Sequence, residues 1–166
     1  LTLGERGTSR ATAGYGGQHG DTRFNVSVTR FDTRGFSAIN PSLAPNANPD
    51  ADGYRNDSVS GNLSHRLSPA HEIGGSFLAT RARLGYDSAF GKASDIQTSA
   101  QDLGMGRLFW EARPNSTWTS RASVSEGTDY RTDKLNGSFN NSSNTRTRQF
   151  VWDNLLRIAD GHEGSV

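Results

Sequence analysis

The chain has 166 residues, of which 32% are hydrophobic, and its mean hydropathy is −0.71. It has 18 basic and 17 acidic residues and a net charge of +1, which excludes a global field that would collect nucleic acid or anionic lipid. Cysteine is absent and no apolar run approaches the length of a membrane-spanning helix, so disulfides, Cys-based zinc sites and helical spans are excluded. With 19 Gly and hardly a helix-forming run, the chain is predicted to be all-β.

The first two predicted strands form a hairpin. Residues 8–15 alternate small or aromatic side chains with polar ones, and residues 16–21 break that pattern with glycines. Residues 22–32 then place Phe24, Val26 and Val28 on one side. A loop over residues 33–53 follows, because that stretch is rich in Pro, Asn, Ser and Gly and has no sustained period.

Three further strands follow in the same manner. Strands over 54–67 and 73–80 flank a short turn at Pro69, and a second polar loop covers residues 85–99. The next strand, over 100–112, has an inconsistent phase, because Leu103 and Met105 are out of step with Leu108. A β-bulge in this strand would reconcile them.

The last part of the chain repeats the pattern. A strand from Trp118 leads to a third long loop over residues 127–145, whose Asn and Ser core has nothing apolar to bury and is predicted to be mobile and tolerant of deletion. The seventh strand places Phe150, Trp152, Leu156 and Ile158 on one side, and a turn at 160–163 follows.

Short turns near residues 19, 70, 115 and 161 recur at intervals of roughly 45 to 50 residues, with a long loop between each pair. Short turns at one end and long loops at the other are typical of outer-membrane β-barrels. One face of such strands meets lipid, which explains the low hydropathy, and Trp110 and Trp118 suit an interfacial aromatic girdle. A soluble β-solenoid or sandwich is the alternative. The barrel interpretation predicts seven or eight antiparallel strands that share one apolar face, with these residues on it: Phe24, Val26, Val59, Leu63, Phe77, Val124 and Trp152.

The first long loop concentrates oxygen ligands. Asn48, Asp50, Asp52 and Gly53 match the opening positions of an EF-hand loop, but Val59 stands where a bidentate Glu is required, so the EF-hand interpretation fails. The two carboxylates still offer hard oxygens to a cation such as calcium, although Asp and Gly are also ordinary turn residues.

Four segments together resemble a known family. They are Arg34-Gly35-Phe36-Ser37-Ala38, Asn48-Pro49-Asp50-Ala51-Asp52-Gly53-Tyr54, Leu84-Gly85-Tyr86-Asp87, and Phe150-Val151-Trp152-Asp153-Asn154 with Gly161-His162-Glu163-Gly164. They resemble the barrel of TonB-dependent outer-membrane receptors, and most closely the cobalamin receptors of that family. The resemblance implies that residues 1–166 are a fragment, the wall segment of a 22-stranded transmembrane barrel, without its plug domain and remaining strands.

The resemblance also implies a metal site. In that family two acidic loops bind calcium and become ordered for ligand, and the matching positions are Asp50, Asp52 and Asp87, with Tyr86 and Asn48 in support. Ser37 stands where the family has a further aspartate, which weakens the expected site.

The function implied is uptake of cobalamin, or a related metal chelate, across the outer membrane of a Gram-negative cell. Energy would come from TonB, which engages an absent N-terminal segment, and the barrel would be a multi-pass protein of the lipid bilayer. The alternatives are a siderophore receptor, or a structural or adhesive surface β protein that transports nothing. No catalytic motif occurs and the four histidines lack paired metal spacing, so neither an enzyme nor a nucleic-acid partner is expected.

Overall fold

The computed structural model describes residues 1–37, 39–40, 42–46, 48–159 and 161–166. These residues form one nine-stranded antiparallel sheet whose strands follow one another in chain order. No helix in the described ranges is long and apolar enough to cross a membrane. The strands are β1 (Thr2–Leu3), β2 (Ser9–His19), β3 (Thr22–Thr33), β4 (Tyr54–Ser68), β5 (His71–Tyr86), β6 (Gln97–Asn115), β7 (Trp118–Leu135), β8 (Ser138–Ala159) and β9 (His162–Ser165). The predicted all-β class and up-and-down antiparallel order are confirmed, with nine strands instead of the predicted seven or eight.

The two ends of the sheet differ, as the sequence predicts. At one end two-residue connections join β2 to β3, β4 to β5 and β6 to β7; we call it the turn end. The predicted turn at 160–163 begins at Asp160, which lies outside the described residues. At the other end, the loop end, residues 34–53 join β3 to β4 and residues 87–96 join β5 to β6. The second loop is therefore shorter than the predicted 85–99, because β5 and β6 both extend further.

The predicted third loop, over residues 127–145, is wrong. β7 and β8 remain paired up to Leu135 and Ser138, and only two residues connect them. Asn136 and Gly137 have φ of 52° and 80°, the left-handed values that a tight hairpin turn of type I′ requires. The prediction failed because most side chains here are polar on both faces, so the sequence shows no alternation of polar and apolar residues. The backbone hydrogen bonds between β7 and β8 nevertheless continue.

The predicted bulge in the fifth strand is also wrong. β6 pairs with β5 without a register shift from Gln97 to Ala112. Leu103 and Met105 are out of step with Leu108 because they point to the opposite, mainly polar face of an unbroken strand, where Leu78 and Phe109 also lie.

Cross-strand register defines an apolar face. Phe24 lies opposite Leu63, Val28 opposite Val59, and Gly61 opposite both Val26 and Phe77. Directly opposed residues project from the same face of a sheet, and the pairing continues to β8. All seven residues predicted to share a face do so: Phe24, Val26, Val59, Leu63, Phe77, Val124 and Trp152.

Nothing in the described chain covers this apolar face. Among all the described residues, only two hydrophobic side chains are buried, Ala82 on the polar face and Ala112 on the apolar face, whereas Leu108 and Phe150 remain 66% and 67% exposed. The sheet therefore has no hydrophobic core of its own, and its apolar side chains need an external partner.

Glycines opposite large side chains fix the register at the centre of the sheet. Gly61 lies directly opposite Phe77, and a Cβ at residue 61 would be 2.8 Å from the Phe77 ring. Gly74 stands opposite Phe109 in the same way, with 2.5 Å to the ring. A slip of one residue would put side chains where these rings lie, so the register is sterically defined.

Candidate metal site

Three aspartates converge at the loop end. Asp50 and Asp52 lie near the end of the first loop, Asp87 directly follows β5, and one carboxylate oxygen of each lies within 4.8 Å of the others. The sheet brings the three aspartates together, because the first loop leads into β4, Asp87 follows β5, and β4 and β5 are neighbouring strands. The amide of Gly85 donates to the carbonyl oxygen of Gly53 at 2.9 Å, which brings the two loop bases side by side.

Ser37 is part of this cluster. Its hydroxyl donates to Oδ2 of Asp87 at 2.6 Å and approaches the carbonyl oxygen of Ile39 at 3.3 Å. The position where the resemblance places a further aspartate therefore lies beside the three carboxylates, but it presents a neutral hydroxyl. This hydroxyl adds one more hard oxygen to the group.

Two glycines make room for Asp52. Gly35 has φ of 66°, and a Cβ there would lie 1.8 Å from the backbone oxygen of Asp52. A Cβ on Gly85 would lie 3.1 Å from Oδ1 of the same residue. At residue 35, only glycine can adopt this backbone conformation and also leave room for the backbone oxygen of Asp52.

Asn48 links the two long loops. Its Oδ1 accepts a hydrogen bond from the amide of Asp50 at 3.2 Å, and its Nδ2 donates to the carbonyl oxygen of Asp95 at 3.1 Å. Asn48 therefore holds the backbone of Asp50 in place. Tyr86, the other predicted supporting residue, ends β5 and pairs with Gln97 across the ladder.

Asp95 joins the second loop to the tip of the β7–β8 hairpin. Its Oδ2 accepts from the amide of Lys92 at 2.9 Å, and its Oδ1 accepts from Nδ2 of Asn136 at 3.2 Å. Oδ1 of Asn136 in turn accepts from the amide of Ile96 at 2.8 Å. The hydrogen bond from Lys92, and then that from Asn136, hold the pKa of Asp95 below its usual value because both stabilise the carboxylate.

The donor set suits a hard divalent cation. Calcium takes carboxylate, hydroxyl and carbonyl oxygens at about 2.3–2.6 Å, so ligand atoms on opposite sides of one ion are up to about 5 Å apart. The 4.8 Å spread of the three carboxylates fits that limit. Asp50 is exposed, while Asp52 and Asp87 are half-buried, so one side of the cluster remains open to solvent.

Sequence reasoning identified Asp50, Asp52 and Asp87 but missed Asp95 and Asn136. The signal for Asn136 was present, because Asn-Gly between two β segments is the strongest short-range hairpin signal. In the ranges that the structure describes, the three aspartates are the only group of three or more His, Asp or Glu side chains placed to hold one ion, and none of the histidines belongs to it.

No protein-family model matches the chain, and no curated protein matches it significantly.

Proposed function

We propose that this chain forms part of the wall and outer loops of a TonB-dependent outer-membrane receptor that takes up cobalamin or a related metal chelate. The observation that carries the proposal is the pairing of two features in one sheet. One face is apolar and uncovered, and the loop end carries three converged carboxylates.

Two features of the sheet support a position in a bilayer. Backbone polar groups in hydrocarbon must be satisfied within the protein, and the long strands β3 to β7 are paired on both sides. Their apolar face would contact lipid, while the opposite face, rich in Ser, Thr and Asn, would line a wet lumen.

The aspartates would couple calcium to ligand binding. Three carboxylates so close together repel one another unless a cation compensates their charge. Calcium would therefore order the loops of residues 34–53 and 87–96, and loops ordered in this way would bind the chelate more tightly. Asn48 and Asp95 would transmit that order, because they tie the two loops together.

The test is uptake by the intact protein in a Gram-negative strain that lacks its own cobalamin receptor. Labelled cobalamin should accumulate only when TonB is present, and a calcium chelator should reduce binding. The triple variant Asp50→Asn, Asp52→Asn and Asp87→Asn should lose the calcium dependence, whereas Asp21→Asn, at the turn end, should keep it.

Accumulation of ferric siderophores instead would support the siderophore alternative. A surface-exposed protein that accumulates neither ligand would support the structural or adhesive alternative.

A further inference from the structure

The tip of the β7–β8 hairpin is joined to the loop of residues 87–96 through one residue, Asn136. The backbone amide of Asn136 donates to the carbonyl oxygen of Ile96 at 2.8 Å, and its side-chain Oδ1 accepts from the amide of Ile96 at 2.8 Å. Its Nδ2 donates to Oδ1 of Asp95 at 3.2 Å. Three polar groups of this exposed asparagine therefore contact the end of the loop.

The residue that follows Asn136 is a glycine with an accessible backbone nitrogen. Gly137 has φ of 80°, and nothing lies within 4 Å of the position that a Cβ would occupy. Its amide donates no hydrogen bond to any residue in the described ranges. This nitrogen can attack the side-chain carbonyl carbon of Asn136, because the two groups belong to adjacent residues and the attack closes a five-membered ring.

The carbonyl group of the Asn136 side chain is placed to accept that attack. Attack on Cγ moves negative charge onto Oδ1, and the amide of Ile96 already donates to this atom at 2.8 Å. Donors at about 2.7–3.1 Å from a developing oxyanion stabilise the tetrahedral intermediates of acyl transfer. The fold therefore brings one oxyanion donor from the loop to an asparagine that precedes glycine.

We propose that Asn136 is a site of spontaneous deamidation, and that its deamidation releases the loop of residues 87–96 from the hairpin. The nitrogen of Gly137 forms a bond to Cγ of Asn136, and the bond between Cγ and Nδ2 breaks. The proton of the Gly137 amide passes through water to the leaving nitrogen, which departs as ammonia. Water then opens the cyclic imide at either carbonyl carbon and leaves aspartate or isoaspartate at residue 136.

Each product disrupts the contact with the loop. In aspartate an oxygen replaces Nδ2, so a second carboxylate faces Oδ1 of Asp95 where a donor stood at 3.2 Å. Asp95 is ionised at neutral pH because hydrogen bonds, first that from the Lys92 amide, lower its pKa, and adjacent carboxylates repel each other. Isoaspartate lengthens the backbone by one atom, which a two-residue turn of type I′ does not accommodate.

The chain contains an internal reference for the reaction. Asn136 is the only asparagine that precedes a glycine, whereas Asn115 precedes Ser116 in the turn between β6 and β7. Oδ1 of Asn115 also accepts from a backbone amide, that of Thr117, at 3.0 Å. Asn115 therefore has an oxyanion donor, but a side chain stands beside its nucleophile. The inference does not rest on the proposed function, because it needs neither a bilayer nor a bound ligand.

The first experiment follows peptide masses of the intact protein during storage at neutral pH. The peptide that contains Asn136 should exchange NH2 for OH, while the peptide that contains Asn115 should remain mainly unchanged. Conversion should be faster in the folded protein than in urea, because only the folded protein supplies the Ile96 donor. Ile96→Pro removes that donor and should slow conversion about tenfold. Lys92→Pro is the matched control, because it removes an amide donor to Asp95 from the same loop without changing the contacts of Asn136.

The second experiment measures hydrogen exchange in the variant Asn136→Asp. The amides of Lys92 and Ile96 should exchange about fivefold faster than in wild type because of the new repulsion, and added salt should reduce the difference. The amide of Arg113, which donates to the carbonyl oxygen of Ala70 at the turn end, should exchange at the same rate in both proteins.

The outcomes separate the modification from its consequence. No conversion at residue 136, slower conversion in the folded protein than in urea, or equal rates in Ile96→Pro and Lys92→Pro would overturn the proposed site. Unchanged exchange of the Lys92 and Ile96 amides in Asn136→Asp would overturn the proposed release of the loop.

Discussion

Replacing Ser37 with aspartate should convert the weak candidate site into a strong one. The Ser37 hydroxyl lies 2.6 Å from Oδ2 of Asp87, so a carboxylate at residue 37 would join the other three around one cation. In water, two unit charges 4 Å apart interact by about 1 kcal/mol. Calcium carries two charges, so the added carboxylate contributes about 2 kcal/mol, or roughly thirtyfold in affinity.

The assay is calorimetric titration of calcium into the intact protein. Ser37→Asn is the matched control because it gives residue 37 nearly the same shape as aspartate without the charge. In the absence of calcium, the Ser37→Asp variant should have more mobile loops than wild type, since it loses a hydrogen bond and gains a like charge beside Asp87. If Ser37→Asp binds calcium no more tightly than Ser37→Asn, the three aspartates are not acting as a common ligand set.

Three further predictions concern the same end of the sheet. Gly35→Ala should lower calcium affinity at least tenfold by displacing the backbone of Asp52, whereas Gly20→Ala, which has a similar φ of 55° but nothing within 4 Å, should leave it unchanged in the same titration. Asn136→Gly keeps the turn conformation but removes the acceptor of the Ile96 amide, so that amide should exchange with solvent at least tenfold faster; an unchanged rate would show that the hairpin tip does not hold the second loop. Because the pKa of Asp95 is lowered in the folded loop, its stabilisation should be complete above the ordinary value of 3.8 and be lost as pH falls through the lowered pKa. The amide resonance of Lys92 should follow that titration and should show none in Asp95→Asn.

Most of the fold could be predicted because one face of the sheet is apolar. Side chains such as Phe24, Val26 and Leu63 alternate with polar neighbours, and this period of two identifies both the strands and their common face. The signal disappears between Gly127 and Phe150, where both faces are mainly polar, and the hairpin there could be found only from its Asn-Gly turn. Hydropathy detects contact with an apolar environment, whereas backbone pairing continues without it.

The candidate site was predictable only in part. The convergence of Asp52 and Asp87 follows from two loops that start on neighbouring strands, so strand order alone was sufficient. The contact of Ser37 with Asp87, and that of Asn136 with Asp95, depend on the path of each loop through space. No periodicity in the sequence encodes such a path.

The glycines that face aromatic rings also have an evolutionary consequence. A larger residue at Gly61 would collide with Phe77, and loss of the Phe77 ring would leave Gly61 without its packing partner. Either change alone is costly, while a simultaneous exchange is tolerated. In homologous chains, residues 61 and 77 should therefore covary, as should residues 74 and 109, although each pair is far apart in sequence. Residues of the polar face that do not pack against a ring in this way should vary independently of one another.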